Sequence, residues 1–215
     1  MRPDRSGLPA TTACHALRVA YQGIAGAFGE AAVEQHWGGG ARPVAARTFD
    51  DALTLLTHGD ADRAVIPVWN SSIGDVPWGC EALGDHSATV EAVDHVDLSV
   101  QHCLLALDRT TLDDVRFVGS HPAALAQCRR FFERYDRFVA CSASDTAGAA
   151  RELARRQVAT DGAEPWYAGT GADSPSALAV LASISAARRY SLSVLIESVQ
   201  DDPANITRFA VVRRR

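Results

Sequence analysis

Hydrophobic positions along the chain fall into short alternating runs separated by stretches with helical spacing. Leu17-Arg18-Val19-Ala20-Tyr21 reads as a strand, followed by the loop Gln22-Gly23-Ile24-Ala25-Gly26-Ala27-Phe28 and a helix from Gly29 to Trp37. A second strand near Pro43 to Arg47 leads into a helix capped by Thr48. Asp51, three residues later, forms a short variant of the capping box, and Leu53, Leu55 and Leu56 turn inward. Ala64-Val65-Ile66-Pro67-Val68 is a third strand and runs into Trp69-Asn70-Ser71-Ser72-Ile73-Gly74. Strands and helices in this order predict a parallel sheet flanked by helices. The loops after its strands, Gly23 to Phe28 and Trp69 to Ser72, then share one edge, where α/β folds bind ligands.

The pattern changes after a helix around Gly74 to Leu83. Thr89 to Val96 and Val100 to Leu107 are long strand-like runs suited to a crossover into a second lobe. There the order repeats, with a strand at Val115 to Val118, the turn Gly119-Ser120-His121-Pro122, and a helix from Ala123 to Tyr135. Ser120 sits at or next to its N-cap, and Pro122 at about its first position. A strand at Arg137 to Cys141 and an Ala-rich helix reaching Val158 follow. Gly and Pro between Thr160 and Pro175 mark a loop, a helix runs from Ser174-Pro175 to Tyr190, and a strand from Ser193 to Val199. The polar run Gln200 to Asn205 then feeds Thr207-Arg208-Phe209 into the apolar Ala210-Val211-Val212, setting a hydroxyl and a guanidinium at the mouth of a strand.

The expected architecture is therefore α/β and two-lobed, with residues 1–14 a disordered leader and 15–215 the folded part. Lobe 1 takes roughly residues 15–98 and 192–215, and lobe 2 roughly 99–191. A cleft between them is a natural small-molecule site.

Composition narrows the chemistry. All 21 basic residues are arginine, which removes lysine-based Schiff-base mechanisms. A formal charge of −5 speaks against nucleic-acid binding, and Arg129, Arg130, Arg134 and Arg137 read as a solvated helix face beside Glu133 and Asp136. The 5 cysteines form no C-x-x-C pair and the 7 histidines no metal-binding spacing, so no metal is expected. No apolar run reaches the ~20 residues of a membrane span. Residues 6–15 are too polar for a signal peptide, and a cytoplasmic protein is expected. The glycine loop before the first helix suits an anion or serves as a plain tight turn; it lacks the spacing of a dinucleotide fingerprint.

Several separated stretches resemble the prephenate dehydratases and the related plant arogenate dehydratases. They are Val19-Ala20-Tyr21-Gln22-Gly23 through Ala27-Phe28, Ile66-Pro67-Val68 with Asn70-Ser71, and His102-Cys103-Leu104-Leu105. Ser120-His121-Pro122 with Ala124 to Cys128, Asp145 to Ala150, and Asn205 with Thr207-Arg208-Phe209 complete the set, in the family's order. The resemblance implies a two-lobed fold like the type II periplasmic binding proteins, with the active site in the cleft and no cofactor. It implies loss of carbon dioxide and water from prephenate to give phenylpyruvate, or from arogenate to give phenylalanine, as part of phenylalanine biosynthesis.

Carried over by residue, Thr207 would donate to the departing ring hydroxyl, and Asn70, Ser120 and Gln127 would orient hydroxyl and carboxylates. Ser71, Thr146, Arg208, Phe209, Ala27, Phe28 and Trp69 are the further candidates for substrate contact. Arg208 could pair a substrate carboxylate or brace an acidic loop such as Asp201-Asp202. Phe209 suits a core wedge better than a stacking partner. Thr146 is a cleft residue or part of a helix cap.

Two departures stand out. Trp69 replaces the family's usual acidic residue, which predicts a changed pocket. The family's phenylalanine-sensing ACT domain would follow Phe209, where this sequence has six further residues, so control through it is not expected. The loop from Gln157 to Pro175 looks longer than the family's, with Trp166-Tyr167 suited to covering a cleft or interface. A homodimer is expected. The alternatives to a prephenate dehydratase are an arogenate dehydratase, a non-aromatising decarboxylase of specialised metabolism, and a non-catalytic binder of aromatic acids.

Overall fold

Two β-sheets, each with its own helices, divide the chain in the computed structural model, which describes residues 16–155 and 165–215. The leader expected at 1–14, the end of the Ala-rich helix and the first part of the loop before Pro175 lie outside the described residues.

The first sheet is built from β1 (Leu17–Gln22), β2 (Ala41–Ala46), β3 (Arg63–Asn70), β4 (Gly74–Asp75), β5 (Val90–Ser99) and the last strand of the chain. Helices α1 (Phe28–Trp37), α2 (Phe49–His58) and α3 (Pro77–Asp85) connect them. Alternation along the strands decides which face each residue takes. Val19 and Tyr21 pack with Ala32 and Val33 of α1, whereas Ala20 packs with Leu53 and Leu56 of α2 on the other face. The capping box of α2 forms as the sequence predicts. Thr48 Oγ1 accepts from Asp51 N at 3.0 Å, and the Asp51 carboxylate accepts from Thr48 N at 3.2 Å.

The second sheet holds β6 (Cys103–Ala106), β7 (Phe117–Ser120), β8 (Val139–Ser142), β9 (Leu178–Ala182) and β10 (Ser193–Ile196). Its helices are α4 (Pro122–Ala126), α5 (Arg129–Arg134), α6 (Thr146–Arg155) and α7 (Ile184–Tyr190). The chain returns to the first sheet as β11 (Ile206–Arg214), inserted antiparallel between β3 and β5. Two linkers therefore join the lobes and run side by side. Val199 N donates to His102 O at 2.9 Å, and Val100 N donates to Asn205 O at 2.8 Å.

Three expectations are corrected. The helix expected from Ser174 to Tyr190 is a single 3-10 turn, Pro175–Ala177, followed by β9 and then α7. Every residue of β9 is buried between β6 and β7, and a short all-apolar run of that kind has no period to separate strand from helix. The helix expected from Ala123 to Tyr135 breaks at Gln127 and Cys128. Asp201, arriving on the return linker, accepts from Arg129 N at 3.1 Å and Arg130 N at 2.9 Å and so caps a fresh start. Finally, β10 pairs with β6 in the second sheet, so the return crossing lies after Ile196 rather than at residue 192.

Candidate functional site

A cleft of roughly 340 Å³ opens between the two sheets. The first lobe lines it with Gln22, Gly23, Ala27, Phe28, Asn70, Thr207 and Phe209, and the second with His121, Gln127, Ser144, Asp145 and Thr146; His102 comes from a linker. The glycine loop is pinned across the gap. Ser183 Oγ, at the start of α7, donates to Gly26 O at 2.8 Å, and Tyr190 Oη donates to Ala25 O at 2.6 Å. Gly23 takes φ +118°, a conformation L side chains rarely adopt. The chain thereby turns sharply into α1, whose N-cap Ala27 offers no side-chain cap. The first amides of α1, at Phe28 and Gly29, thus have no intrahelical acceptor, and both residues line the cleft.

A register shift brings the central polar pair together. Thr207 lies opposite Asn70 and Arg208 opposite Trp69, but Phe209 lies opposite Pro67. The extra residue in β3 is a bulge, and a one-residue slip reverses which face each later side chain takes. Pro67 and Asn70 consequently both face the cleft, while Trp69 does not line it.

Asn70 is buried and its amide orientation is fixed by its contacts. Its Oδ1 accepts from Ser72 N at 2.9 Å, so Nδ2 faces inward and donates to Thr207 Oγ1 and Asn205 Oδ1, both at 2.8 Å. Asn205, 1% exposed, then donates through Nδ2 to Gln127 Oε1 at 2.8 Å. One chain of side chains therefore spans the cleft from β11 and β3 to the end of α4. Thr207 Oγ1 accepts within this chain, which leaves its own O–H to donate into the cleft. Gln127 likewise has its oxygen occupied and its amide N–H groups to give.

His102 sits beside this chain, edge-on to Phe28 with ring centroids 5.4 Å apart. Its Nδ1 is buried and has no hydrogen-bond partner among the described residues. Burial pushes the imidazole down to about 4, with the Gln127 side chain pulling the other way, so His102 is neutral at pH 7. His121 Nδ1 accepts from Ala123 N at 3.1 Å and caps the start of α4. No arginine lines the cleft among the described residues, and Asp145 is its one carboxylate.

The cleft gathers Thr207, Asn70, Gln127, Thr146, Phe209, Ala27 and Phe28 from the sequence candidates. Four others lie elsewhere. Ser120 is fully buried behind the lining, and its hydroxyl donates to Leu181 O at 2.7 Å because β7 carries it into the second sheet. Ser71 Oγ accepts from Ile206 N at 2.9 Å and closes the end of the β3–β11 ladder. Arg208 points to the outer face, where it forms a two-pronged pair with Asp97 at 2.7 Å for each prong. This pairing holds the Asp97 carboxyl below its usual range, and the acidic partner of Arg208 is Asp97 rather than Asp201 or Asp202. Trp69 neighbours Arg208 on that same rung.

Sequence reasoning did not single out Asn205, His102 and Asp145 as site residues. The first two lie in the linkers, and nothing local marks a linker residue as belonging to a site. Asp145 precedes α6 in cap position, where an acidic residue is ordinary. Among the described residues no group of His, Cys, Asp and Glu is placed to hold a metal, and no helix is long and apolar enough to cross a membrane.

Comparison with known proteins gives a consistent result. A family description of prephenate dehydratases matches residues 19–215. Arogenate dehydratase 2 of Petunia hybrida is 36% identical over 198 residues, which cover 92% of this chain and 45% of the relative. Arogenate dehydratase/prephenate dehydratase 2, chloroplastic, of Arabidopsis thaliana is 34% identical over 198 residues, covering 92% and 46%. The chain thus spans about half the length of these curated relatives. Among solved structures, the quorum-quenching acylase GqqA superposes with a TM-score of 0.75 at 29% identity, covering 92% of this chain and 64% of that one. A prephenate dehydratase from Arthrobacter aurescens, solved with L-Phe, gives 0.75 at 24% identity over 93% and 61%, and shows the fold.

Proposed function

The chain belongs to the prephenate dehydratase family, and from that premise we propose that its cleft catalyses decarboxylating dehydration of prephenate or arogenate. The observation that carries this reading is the Asn70–Thr207 bond, which aims a hydroxyl proton into a cleft whose other polar groups are mostly neutral donors. In the reaction the bond from the ring to its carboxylate breaks, its electron pair enters the ring, and the hydroxyl on the opposite carbon departs as water. Aromatisation drives the step. The protein has to assist the leaving oxygen and hold the carboxylates in place.

Thr207 supplies the assistance as an oriented hydrogen-bond donor whose proton moves to the departing oxygen with C–O cleavage and is replaced from water. Its acidity is low, so position carries the effect, and Asn70 fixes that position. The N–H groups at the start of α1 and the Gln127 amide are suited to carboxylate oxygens. Phe28 and Phe209 give the ring an apolar wall.

The acylase relative raises acyl transfer as a second reading. A threonine nucleophile needs a base to take its proton. Here the neighbour of Thr207 Oγ1 is an amide donor, which favours the lyase. Incubating the purified protein with prephenate and with arogenate at neutral pH, and following carbon dioxide with phenylpyruvate or phenylalanine, tests the proposal. Carbon dioxide without an aromatic product identifies a non-aromatising decarboxylase. Consumption of neither substrate above the uncatalysed rate removes the lyase reading. The wider setting belongs to the same proposal: a cytoplasmic homodimer acting on a small molecule, supported by composition and by the prevalence of two-fold assembly. Light scattering checks the dimer.

A further inference from the structure

Charge is scarce in the cleft, and its distribution is uneven. Of its two histidines, His102 is buried and neutral, and His121 turns its Nδ1 to a backbone N–H. No arginine lines the cavity among the described residues, and Asp145 is the one acidic side chain there. Asp145 is in no ion pair among the described residues. One of its oxygens, Oδ1, accepts from Gly148 N at 2.5 Å and caps α6. A Cβ at residue 148 would collide with the carboxylate, so the glycine there lets Asp145 fold back over the helix start. The second oxygen is left over. Ser144 and Thr146 line the cavity on either side.

The two substrate forms differ at one group. Both carry a ring carboxylate and a side-chain carboxylate, but prephenate has a keto group where arogenate has an ammonium. The keto acid is a dianion and the amino acid a monoanion. An unpaired carboxylate without a facing cation repels the dianion and attracts an ammonium. The α1 amides attract the carboxylates of either form equally, so they cannot discriminate between them.

Resting on the lyase reading of this cleft, we propose that Asp145 is its specificity-determining residue, pairing with the ammonium of an α-amino-acid substrate and disfavouring the keto acid. Its first oxygen stays on Gly148 N and fixes the carboxylate, while the second meets the ammonium.

The test compares kcat/KM for arogenate and for prephenate in the unmodified protein and in Asp145→Asn, which preserves a helix cap. The inference expects the unmodified protein to favour arogenate by roughly tenfold or more, and the substitution to shrink that ratio by a similar factor. A preference for prephenate, or a ratio unchanged while both constants fall together, overturns it and leaves the cap as the whole role of Asp145. Turnover of either substrate keeps the lyase reading, so the two failures are distinct. If neither substrate is consumed, calorimetry at pH 7 with L-phenylalanine and phenylpyruvate decides. Tighter binding of the amino acid, with the advantage lost in Asp145→Asn, supports the inference. Equal binding, or no binding of either, sinks it.

Discussion

Two adjacent rungs of one strand pair, Asn70 opposite Thr207 and Trp69 opposite Arg208, have opposite fates. The inner rung is buried, uncharged and linked through Asn205 to the second lobe. The outer rung is half exposed, and its one charge is already matched by Asp97. Alternation and the bulge in β3 separate them, although the four residues form two adjacent pairs in the chain. Adjacency to a reactive residue is thus no guide to membership of its site. In particular, a change from acid to indole at residue 69 leaves the cleft's lining untouched.

The sharpest way to break this contrast is at the inner rung. Thr207→Ala is expected to lower kcat by roughly 10²-fold or more on the better substrate, with KM little changed, since the lost interaction belongs to bond breaking. Thr207→Ser, which keeps the hydroxyl, should recover much of the loss. Steady-state kinetics of both variants checks this, and an Ala variant with normal kcat would end the proposed role.

The next effect concerns stability. His102 is held neutral with its pKa near 4, against 6.5 when exposed. As pH falls below 6.5, the unfolded chain binds a proton that the folded one refuses, so stability drops through the window from 6.5 to 4 and is flat above it. Between pH 7.5 and pH 5 this one group is expected to cost about 2 kcal/mol. Urea melts at both pH values, repeated for His102→Gln, measure it as the difference between the two slopes. Equal slopes would mean that His102 titrates normally.

How much of this was legible beforehand follows from where each signal resides. Local signals were readable: Thr48 and Asp51 announce a helix start, and the alternation of Leu17 to Tyr21 announces a strand. The ordered motifs placed Asn70, Gln127 and Thr207, which the cleft gathers together. Ser120 shared a motif with Gln127, yet its strand turns it into the second sheet. The bulge that turns Trp69 outward leaves no mark in the sequence, because it exists only as a mismatch between two distant strands. The same holds for Asp201 capping α5 and for Asn205 bridging the lobes, whose contacts span 71 and 78 residues. Leu178 to Ala182 failed differently, since an unbroken apolar run fits a buried helix as well as a central strand.

Asn205 allows a finer cut. It touches Asn70 and Gln127 but does not line the main cleft, so it can act on the reaction only by positioning them. Asn205→Ala is expected to lower kcat by about tenfold while Thr207 stays in place, and combining it with Thr207→Ala should cost much less than the product of the two effects. Fully multiplicative losses would show that Asn205 works independently of the hydroxyl.

The smallest effects belong to the outer rung. Arg208 and Asp97 form a well-aligned pair, but both side chains are more than a third exposed, at 45% and 39%. Solvent screens such a pair, so Arg208→Gln is expected to cost no more than about 1 kcal/mol of stability. On activity, Arg208→Gln and Trp69→Ala should each change kcat/KM by less than about threefold, because neither side chain reaches the cleft. A loss near that of Thr207→Ala in either variant would mean that the outer rung bears on the reaction after all, and the division between the two rungs would have to be abandoned.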